Sequence, residues 1–198
     1  MESFPGVTDG HLTIRPLADT PDDVGHLARW LSDTRVLAHY EGRDNPHDEA
    51  KVRHVFYETL PEHEVPCIVE FDGTPLGYLQ FYPLDPESLT AYGYAETALV
   101  FGIDQFIGEP EWWNRGLGTR MVRLMLAYLF EMEGAERVVV DPVAGNSRAL
   151  RMYEKCGFRR VRILPAHEQH EGVWQDGWLM EVTPESVRPV TTPFSVRW

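Results

Sequence analysis

The chain has 198 residues, of which 43% are apolar, and its formal net charge at pH 7 is −13. This length suffices for one domain with a full core, and the acidic charge argues against nucleic acid, whose phosphates require a basic surface. An acidic cleft would instead attract a cationic small molecule, although many proteins are acidic for solubility alone. No apolar run approaches the ~18 residues of a membrane span, and no basic-then-apolar leader begins the sequence. We therefore expect a cytoplasmic protein with no membrane partner.

Only two cysteines occur, Cys67 and Cys156, so the sequence does not indicate a disulfide framework. Either thiol could in principle accept an acyl group. The commoner role of such residues, a small buried apolar side chain, is favoured.

The first quarter of the sequence predicts a strand followed by short helices. Polar and apolar residues alternate over residues 11–17, which indicates a strand. Thr20 and Pro21 then supply a helix cap and a proline at the first helical position. A further capped helix is expected from Asn45 and Pro46 to Leu60.

A hairpin is expected next, because Asp72-Gly73 separates the apolar runs 65–71 and 75–82. Residues 83–98 contain turn residues and aromatics without a clear period, so we expect a long loop over a cleft. Its tyrosines suit a cationic saccharide, because sugars stack on aromatic rings and ammonium groups bind over them. They suit plain packing equally well.

A glycine-containing turn at residues 114–120 lies between an apolar strand, 99–107, and an amphipathic helix, 116–133. Such a turn directs backbone N–H groups and the positive end of the helix dipole at an anion. Gly116 and Gly118 allow the main chain to approach a phosphate closely. The turn is neither a Walker A loop nor a Rossmann fingerprint, and alone it could be a tight turn. With its surroundings it predicts a pyrophosphate site.

The last third of the sequence predicts a strand at 137–141, a helix at 146–158 and two antiparallel strands, 158–164 and 172–182. Asn146 and Tyr153 are seven residues apart and so project from one face of the helix. Residues 167–171, His-Glu-Gln-His-Glu, lack the order or the cysteine partners of a metal site, and we expect a solvated hairpin loop. The tail from 183 to 198 could be disordered or could dock through Phe194 and Trp198.

The order of strand, Gly-x-Gly turn, helix and strand, followed by the pattern N-x-x-A-x-x-x-Y-x-x-x-G-F, resembles the acetyl-CoA-binding core of the GNAT N-acetyltransferases. More narrowly, residues 101–107, 115–119, 140–142 and 146–158 resemble the aminoglycoside 6′-N-acetyltransferases, in the branch that modifies kanamycin and tobramycin. The resemblance covers about residues 11–182 and is strongest in 102–158. Departures lie in residues 83–98 and in the last hairpin.

The resemblance implies an α+β fold, a three-layer α/β/α sandwich whose mixed, mostly antiparallel sheet has a V-shaped split and is flanked by helices. A single domain is expected over residues 1–182, with a separate tail at 183–198. The oligomeric state is expected to be a monomer or a homodimer.

The activity implied is transfer of acetyl from acetyl-CoA, without a metal, to a primary amine of an aminoglycoside in a ternary complex, with the 6′-amine as the expected site. Asp104 would accept the proton of the amine or position it, and Tyr153 would protonate the leaving thiolate. A carboxylate is a poor base for an amine unless its pKa is raised. The expected cofactor-binding residues are Phe106, Ile107, Arg115, Gly116, Leu117, Gly118, Thr119, Arg120, Asn146 and Ala149. The expected substrate-binding residues are Tyr40, Glu41, Tyr82, Tyr94, Glu96, Asp104 and Asp141.

Other interpretations remain open from the sequence. Asp104 could cap a loop, and Tyr153 and Tyr40 could be packing residues. The acceptor could be another amine, such as a siderophore precursor, a different aminoglycoside position or a peptide amine. A non-catalytic module that senses acyl-CoA is the third possibility, and the presence of Asp104 and Tyr153 together disfavours it.

Overall fold

A computed structural model of the chain describes residues 4–187 and 194–196. Within these ranges, a single nine-stranded sheet organises the fold. Its strands are β1 (Val7–Thr8), β2 (Leu12–Pro16), β3 (Val65–Phe71), β4 (Thr74–Pro83), β5 (Val100–Ile107), β6 (Arg137–Val140), β7 (Arg159–His170), β8 (Val173–Val182) and β9 (Ser195–Val196). Their spatial order is β7-β8-β6-β5-β4-β3-β2-β1-β9.

Strands β5 and β6 form the one parallel pair in the described sheet, and they separate early. Their register runs from Val100 opposite Arg137 to Gly102 opposite Val139 and stops there. Strand β5 continues to Ile107, paired with β4 on its other side, while β6 turns to β8. The sheet is therefore mixed, mostly antiparallel and split in the middle, as the sequence predicted.

Among the described residues, six α-helices cover the two faces of the sheet: α1 (Pro21–Trp30), α2 (Thr34–Leu37), α3 (Glu49–Arg53), α4 (Pro86–Tyr92), α5 (Leu117–Glu131) and α6 (Ser147–Cys156). Helices α5 and α6 bury their apolar faces against one side of the sheet. Helices α1 to α3 pack on the other side around Trp30 and Tyr78, and α4 packs beside them through Leu89. This is the expected three-layer arrangement, because each amphipathic helix can bury its stripe only against the sheet.

Two of the predicted boundaries are wrong in the region before β5. The helix expected from Asn45 begins instead at Glu49, because the Asp48 carboxylate accepts the Lys51 N–H at 2.8 Å and caps it. It continues into a π-helical turn, His54–Glu58. Residues 83–98 are not an irregular loop, since Asp85 caps α4 by accepting the Ser88 N–H at 2.7 Å.

The loop expected at residues 167–171 is also wrong, because β7 extends to His170 and the turn to β8 is made at Glu171-Gly172. In the tail, Ser195–Val196 pairs antiparallel with β1, and Phe194 packs against the main core. Trp198 lies outside the described residues. No helix in the described part of the chain is long and apolar enough to cross a membrane.

Candidate active site

Two adjoining cavities lie where β5 and β6 diverge. The larger, about 350 Å³, is bounded by the end of β5, the start of α5 and the exposed side of α6. The smaller, about 130 Å³, lies between the ends of β5 and β6 and is closed by His39 and Tyr40, which follow α2, and by Glu168 of β7. The residues that line both are His39, Gln105, Asn146, Ala149 and Tyr153. A ligand in one cavity therefore meets a ligand in the other at Tyr153.

The larger cavity is suited to an anion. Gly116, with φ 80°, is the residue before α5 and has no side chain to cap the helix. The first N–H groups of this 15-residue helix therefore face the cavity without a hydrogen bond to a capping side chain. Leu117, Gly118 and Thr119 line it, as predicted for the turn. A Cβ at Gly118 would lie no closer than 3.9 Å to any other atom. Core packing therefore does not require a glycine here, and the missing side chain instead leaves room in the cavity.

The basic residues of this cavity are not the ones the sequence predicted. The Arg120 guanidinium binds the Asp9 carboxylate, and the Arg115 guanidinium lies 5.1 Å from the Trp112 ring. Neither side chain lines the cavity. Positive charge comes instead from α6, through Arg148, Arg151 and Lys155. Their spacing of three and four residues places them on one helical face, which the sequence could have shown.

Phe106 and Ile107, at the end of β5, line the larger cavity as predicted. Beyond Gly102, β5 has no neighbour on the β6 side among the described residues. Backbone groups along this edge are therefore available to a ligand.

Asp104 projects from the middle of β5 into the smaller cavity. Its Oδ2 accepts the Gln80 amide N–H at 2.9 Å and the Tyr82 hydroxyl at 3.1 Å. Burial raises the pKa of this carboxyl to about 6, and the nearby charge of Asp141 acts in the same direction. The two hydrogen bonds oppose the shift without cancelling it. The result is a carboxylate whose pKa is close to neutrality, a better proton acceptor than an ordinary aspartate.

Asp141, just past β6, lines the same cavity but titrates in the opposite sense. Burial raises its pKa, yet the hydrogen bonds from His167 and Tyr92 outweigh burial and leave the pKa below its usual value. The distances to Asp141 Oδ2 are 2.7 Å from His167 Nε2 and 2.8 Å from the Tyr92 hydroxyl. Asp141 is therefore a carboxylate at neutral pH, beside a histidine whose pKa the same hydrogen bond raises.

Tyr153, on α6, is 7% exposed and separates the two cavities. The Gln105 amide lies 3.3 Å from its hydroxyl and donates to it. Burial, and the charge of Asp104, raise the pKa of the phenol well above its usual value, so the hydroxyl keeps its proton and can act as a donor. Asn146 caps the same helix by accepting the Ala149 N–H at 3.1 Å.

The predicted acceptor residues divide into two groups. Tyr40 lines the smaller cavity and packs against Phe106 at a centroid distance of 4.7 Å, and Tyr82 binds Asp104. Glu41 is turned away, with its Oε2 2.7 Å from the Asn45 amide nitrogen and 2.8 Å from the buried His47.

Tyr94 and Glu96 are corrected as well. The Tyr94 hydroxyl donates to the buried Glu181 carboxylate, which also binds two arginines away from the cavities. Glu96 is exposed in a turn. Helix α4 ends at Tyr92, and it is the Tyr92 hydroxyl that binds Asp141, rather than Tyr94 or Glu96. The sequence did not predict His167 and Glu168 at the site, because it indicates a loop where β7 continues. His39, which follows α2 and lines both cavities, was not predicted either.

A family model for the acetyltransferase (GNAT) domain matches residues 19–165, which is most of the chain. The chain belongs to the GNAT family of acetyltransferases. Among GNAT enzymes, it is 28% identical over 156 residues to an aminoglycoside N(6′)-acetyltransferase type 1 from Klebsiella pneumoniae, covering 78% of each protein.

Two further relatives place it within the family. A crystal structure of aminoglycoside acetyltransferase AAC(6′)-Ib with coenzyme A and kanamycin superimposes with a TM-score of 0.69 at 26% identity, covering 88% of this chain and 96% of that one. An N(6)-hydroxylysine O-acetyltransferase from Escherichia coli is 24% identical over 147 residues, 74% of this chain and 46% of that protein. The prediction of a GNAT acetyltransferase is confirmed.

Proposed function

We propose that this chain transfers acetyl from acetyl-CoA to the 6′-amine of an aminoglycoside in a ternary complex. The observation that carries the proposal is the pair of adjoining cavities: one is fitted for an anion, and the other holds Asp104, Asp141 and Glu168. Tyr153 stands between them. The aminoglycoside-modifying relatives support the choice of acceptor.

Acetyl-CoA supplies an activated thioester when it is bound. The larger cavity fits its phosphates through the uncapped N–H groups of α5, and Arg151 and Lys155 add positive charge. The edge of β5 away from β4 offers the backbone groups of Gln105 and the N–H of Ile107 to the amides of the pantetheine arm, while the Ile107 carbonyl accepts from Trp113 at 2.8 Å. No metal is needed for any of these contacts.

Asp104 prepares the acceptor amine. Its carboxylate attracts the ammonium into the smaller cavity and accepts a proton, directly or through water, so that the nitrogen lone pair is free. Gln80 and Tyr82 both bind Oδ2 and fix the orientation of the carboxylate, which leaves Oδ1 for the amine. Tyr40 forms an aromatic wall for the saccharide.

Tyr153 acts at the other side of the reacting centre. Its phenol retains the proton at neutral pH and can donate it to the leaving thiolate, while backbone N–H groups at the split polarise the carbonyl. Acid–base help of this kind contributes on the order of 10²–10⁴ in rate.

The test begins with binding of coenzyme A to the purified chain by calorimetry, followed by thiol release from acetyl-CoA with kanamycin as the acceptor. NMR of the product identifies the acetylated nitrogen. We expect one acetyl group on the 6′-nitrogen and a large loss of turnover in Asp104→Asn. Binding of coenzyme A without thiol release from any amine would identify a sensing module instead. Expression in a susceptible bacterium tests whether the activity confers resistance.

The similarity to an N(6)-hydroxylysine O-acetyltransferase supports a second candidate, a GNAT enzyme for another amine or hydroxylamine. The same thiol assay with N6-hydroxylysine, an aminoglycoside that lacks a 6′-amine and a peptide amine separates the candidates. Higher kcat/KM for any of these than for kanamycin would replace the proposed acceptor.

A further inference from the structure

His167 lies on the acceptor side of the active site, although acetyl transfer does not require an additional histidine. The pairing of β7 with β8 is irregular between Leu164 and Glu168, and Ala166 has φ 46°. This bend brings the imidazole to Asp141. Gly177 of β8 leaves room for the ring, because a Cβ there would lie 3.1 Å from His167 Cδ2. The histidine is therefore held by the backbone of two strands.

His167 and Tyr92 both bind one oxygen of Asp141, Oδ2, at 2.7 and 2.8 Å. No side chain of the described residues forms a hydrogen bond with the other oxygen, Oδ1. Because Asp141 lines the smaller cavity, Oδ1 is the atom available to an acceptor molecule.

The charges around Asp141 and His167 determine which donor group of an acceptor molecule can bind to Oδ1. The titratable groups that face His167 are Asp141 after β6, Tyr92 from α4 and Glu168 on its own strand, with Asp104 across the cavity. On β8, Gly177 lies against the ring, and the Asp176 carboxylate accepts the N–H of the neighbouring Ala166 at 2.9 Å. The hydrogen bond to Asp141 raises the pKa of His167, and Asp141 stays ionised. A protonated His167 and an ionised Asp141 form an imidazolium–carboxylate pair with no net charge.

We propose that His167 is the built-in counter-cation of Asp141 and thereby sets acceptor specificity, so that a hydroxyl group is preferred to a second ammonium beside the reactive amine. A hydroxyl can donate to Oδ1 without meeting a like charge. An ammonium in the same place would be repelled by the imidazolium, which offsets its attraction to the carboxylate. This inference rests on the proposed function, and it keeps Asp141 as a substrate-binding residue but assigns it a hydroxyl donor.

The test compares two acceptors of the kanamycin type that differ only in carrying a hydroxyl or an amino group on the ring with the reactive amine. The variant is His167→Gln, which keeps an N–H donor for Asp141 but removes the positive charge. We expect the wild-type ratio of kcat/KM, hydroxyl over amino acceptor, to fall about tenfold or more in the variant. The change should lie in KM for the amino acceptor, because the charge acts on binding rather than on the acetyl transfer.

His11→Gln is the matched control. His11 Nδ1 also lies 2.7 Å from an aspartate oxygen, that of Asp72, but this pair is exposed at a distant hairpin. The control should leave the ratio unchanged. A merely structural role of His167 would lower kcat/KM for both acceptors alike, and that result, or an unchanged ratio in His167→Gln, overturns the inference.

A measurement without acceptor completes the test. Imidazole ¹⁵N NMR of the free protein should show His167 protonated at pH 7, with a lower pKa in Asp141→Asn. A neutral His167 at pH 7 overturns the inference whatever the acceptor is. If the wild-type chain acetylates neither kanamycin, the proposed function fails and the inference fails with it. If it acetylates both and His167→Gln leaves the ratio unchanged, the inference alone fails.

Discussion

Tyr82 crosses Gly102 so closely that a Cβ at Gly102 would lie 2.5 Å from Cε2 of the tyrosine ring. The two residues are directly opposite in the β4–β5 register, and the hydroxyl of the same ring donates to Asp104. The missing side chain at residue 102 therefore determines where the ring lies and, through it, how the Asp104 carboxylate is held.

Replacing Gly102 with alanine should displace Tyr82 and break its bond to Asp104. We expect a loss of about 1–3 kcal/mol in the free energy of unfolding, as for other overpacked sites, and a fall in kcat of about tenfold. Chemical denaturation and the thiol assay measure the two effects. Gly25→Ala is the control, because Gly25 lies inside α1 with nothing within 4 Å of the added Cβ. It should be neutral or slightly stabilising.

The pH dependence of kcat/KM should report Asp104. Its pKa is about 6, so the fraction of ionised carboxylate, and with it kcat/KM, should fall about tenfold per pH unit below that value. Initial rates at pH values from 4.5 to 8 give the profile. An acidic limb centred near pH 4 would mean that the proton leaves the amine by another route.

Asp104 should also reduce the stability of the fold. Its folded-state pKa exceeds the unfolded value of 3.8, so ionisation above pH 6 disfavours the folded state by at most about 3 kcal/mol. Asp104→Asn is therefore expected to unfold at a higher temperature than the wild type at pH 8. The difference should shrink as pH falls towards 4, where the carboxyl is neutral in the folded state and about half protonated in the unfolded state. Calorimetry at both pH values checks the sign, and a variant less stable than the wild type at pH 8 contradicts it.

Asn146 has two expected roles, helix capping and cofactor binding, and comparison with a second capping residue separates them. It caps α6 and lines both cavities, so Asn146→Ala should cost about 1 kcal/mol of stability and raise KM for acetyl-CoA severalfold. Asp48→Ala removes an equivalent cap, on α3, away from the cavities. We expect a similar loss of stability there without the change in KM. Equal KM effects in both variants would assign the kinetic effect to unfolding alone.

The sequence predicted the helix starts beside the larger cavity well because their signals are local. Gly116 begins α5 and Asn146 caps α6 within a few residues of where the pattern placed them. Asp104 and Tyr153 were recognised through the family resemblance, and both line the smaller cavity. Their roles in catalysis remain predictions.

The acceptor side was predicted less well, for physical reasons. Helix α4 has one buried apolar residue, Leu89, so its sequence shows no helical repeat of apolar residues. Asp85 and Pro86 do repeat the helix-start signal of Thr20 and Pro21. Strand β7 lies at the edge of the sheet and is largely exposed, so it shows no alternation. Whether a tyrosine or a histidine there reaches Asp141 depends on a helix end and on a bend in the strand, which have no signature in a single sequence.

The divergence of β5 and β6 leaves an open strand edge in the interior of the molecule. An exposed edge of this kind on the outside of a protein invites pairing with another chain and, in the end, aggregation. Here Asn146, Ala149 and Tyr153 of α6 wall the gap, so that a folded neighbour cannot enter it. A molecule that forms hydrogen bonds with this backbone must therefore be narrow enough to lie between β5 and α6, so the spacing of these two elements restricts the width of the ligand.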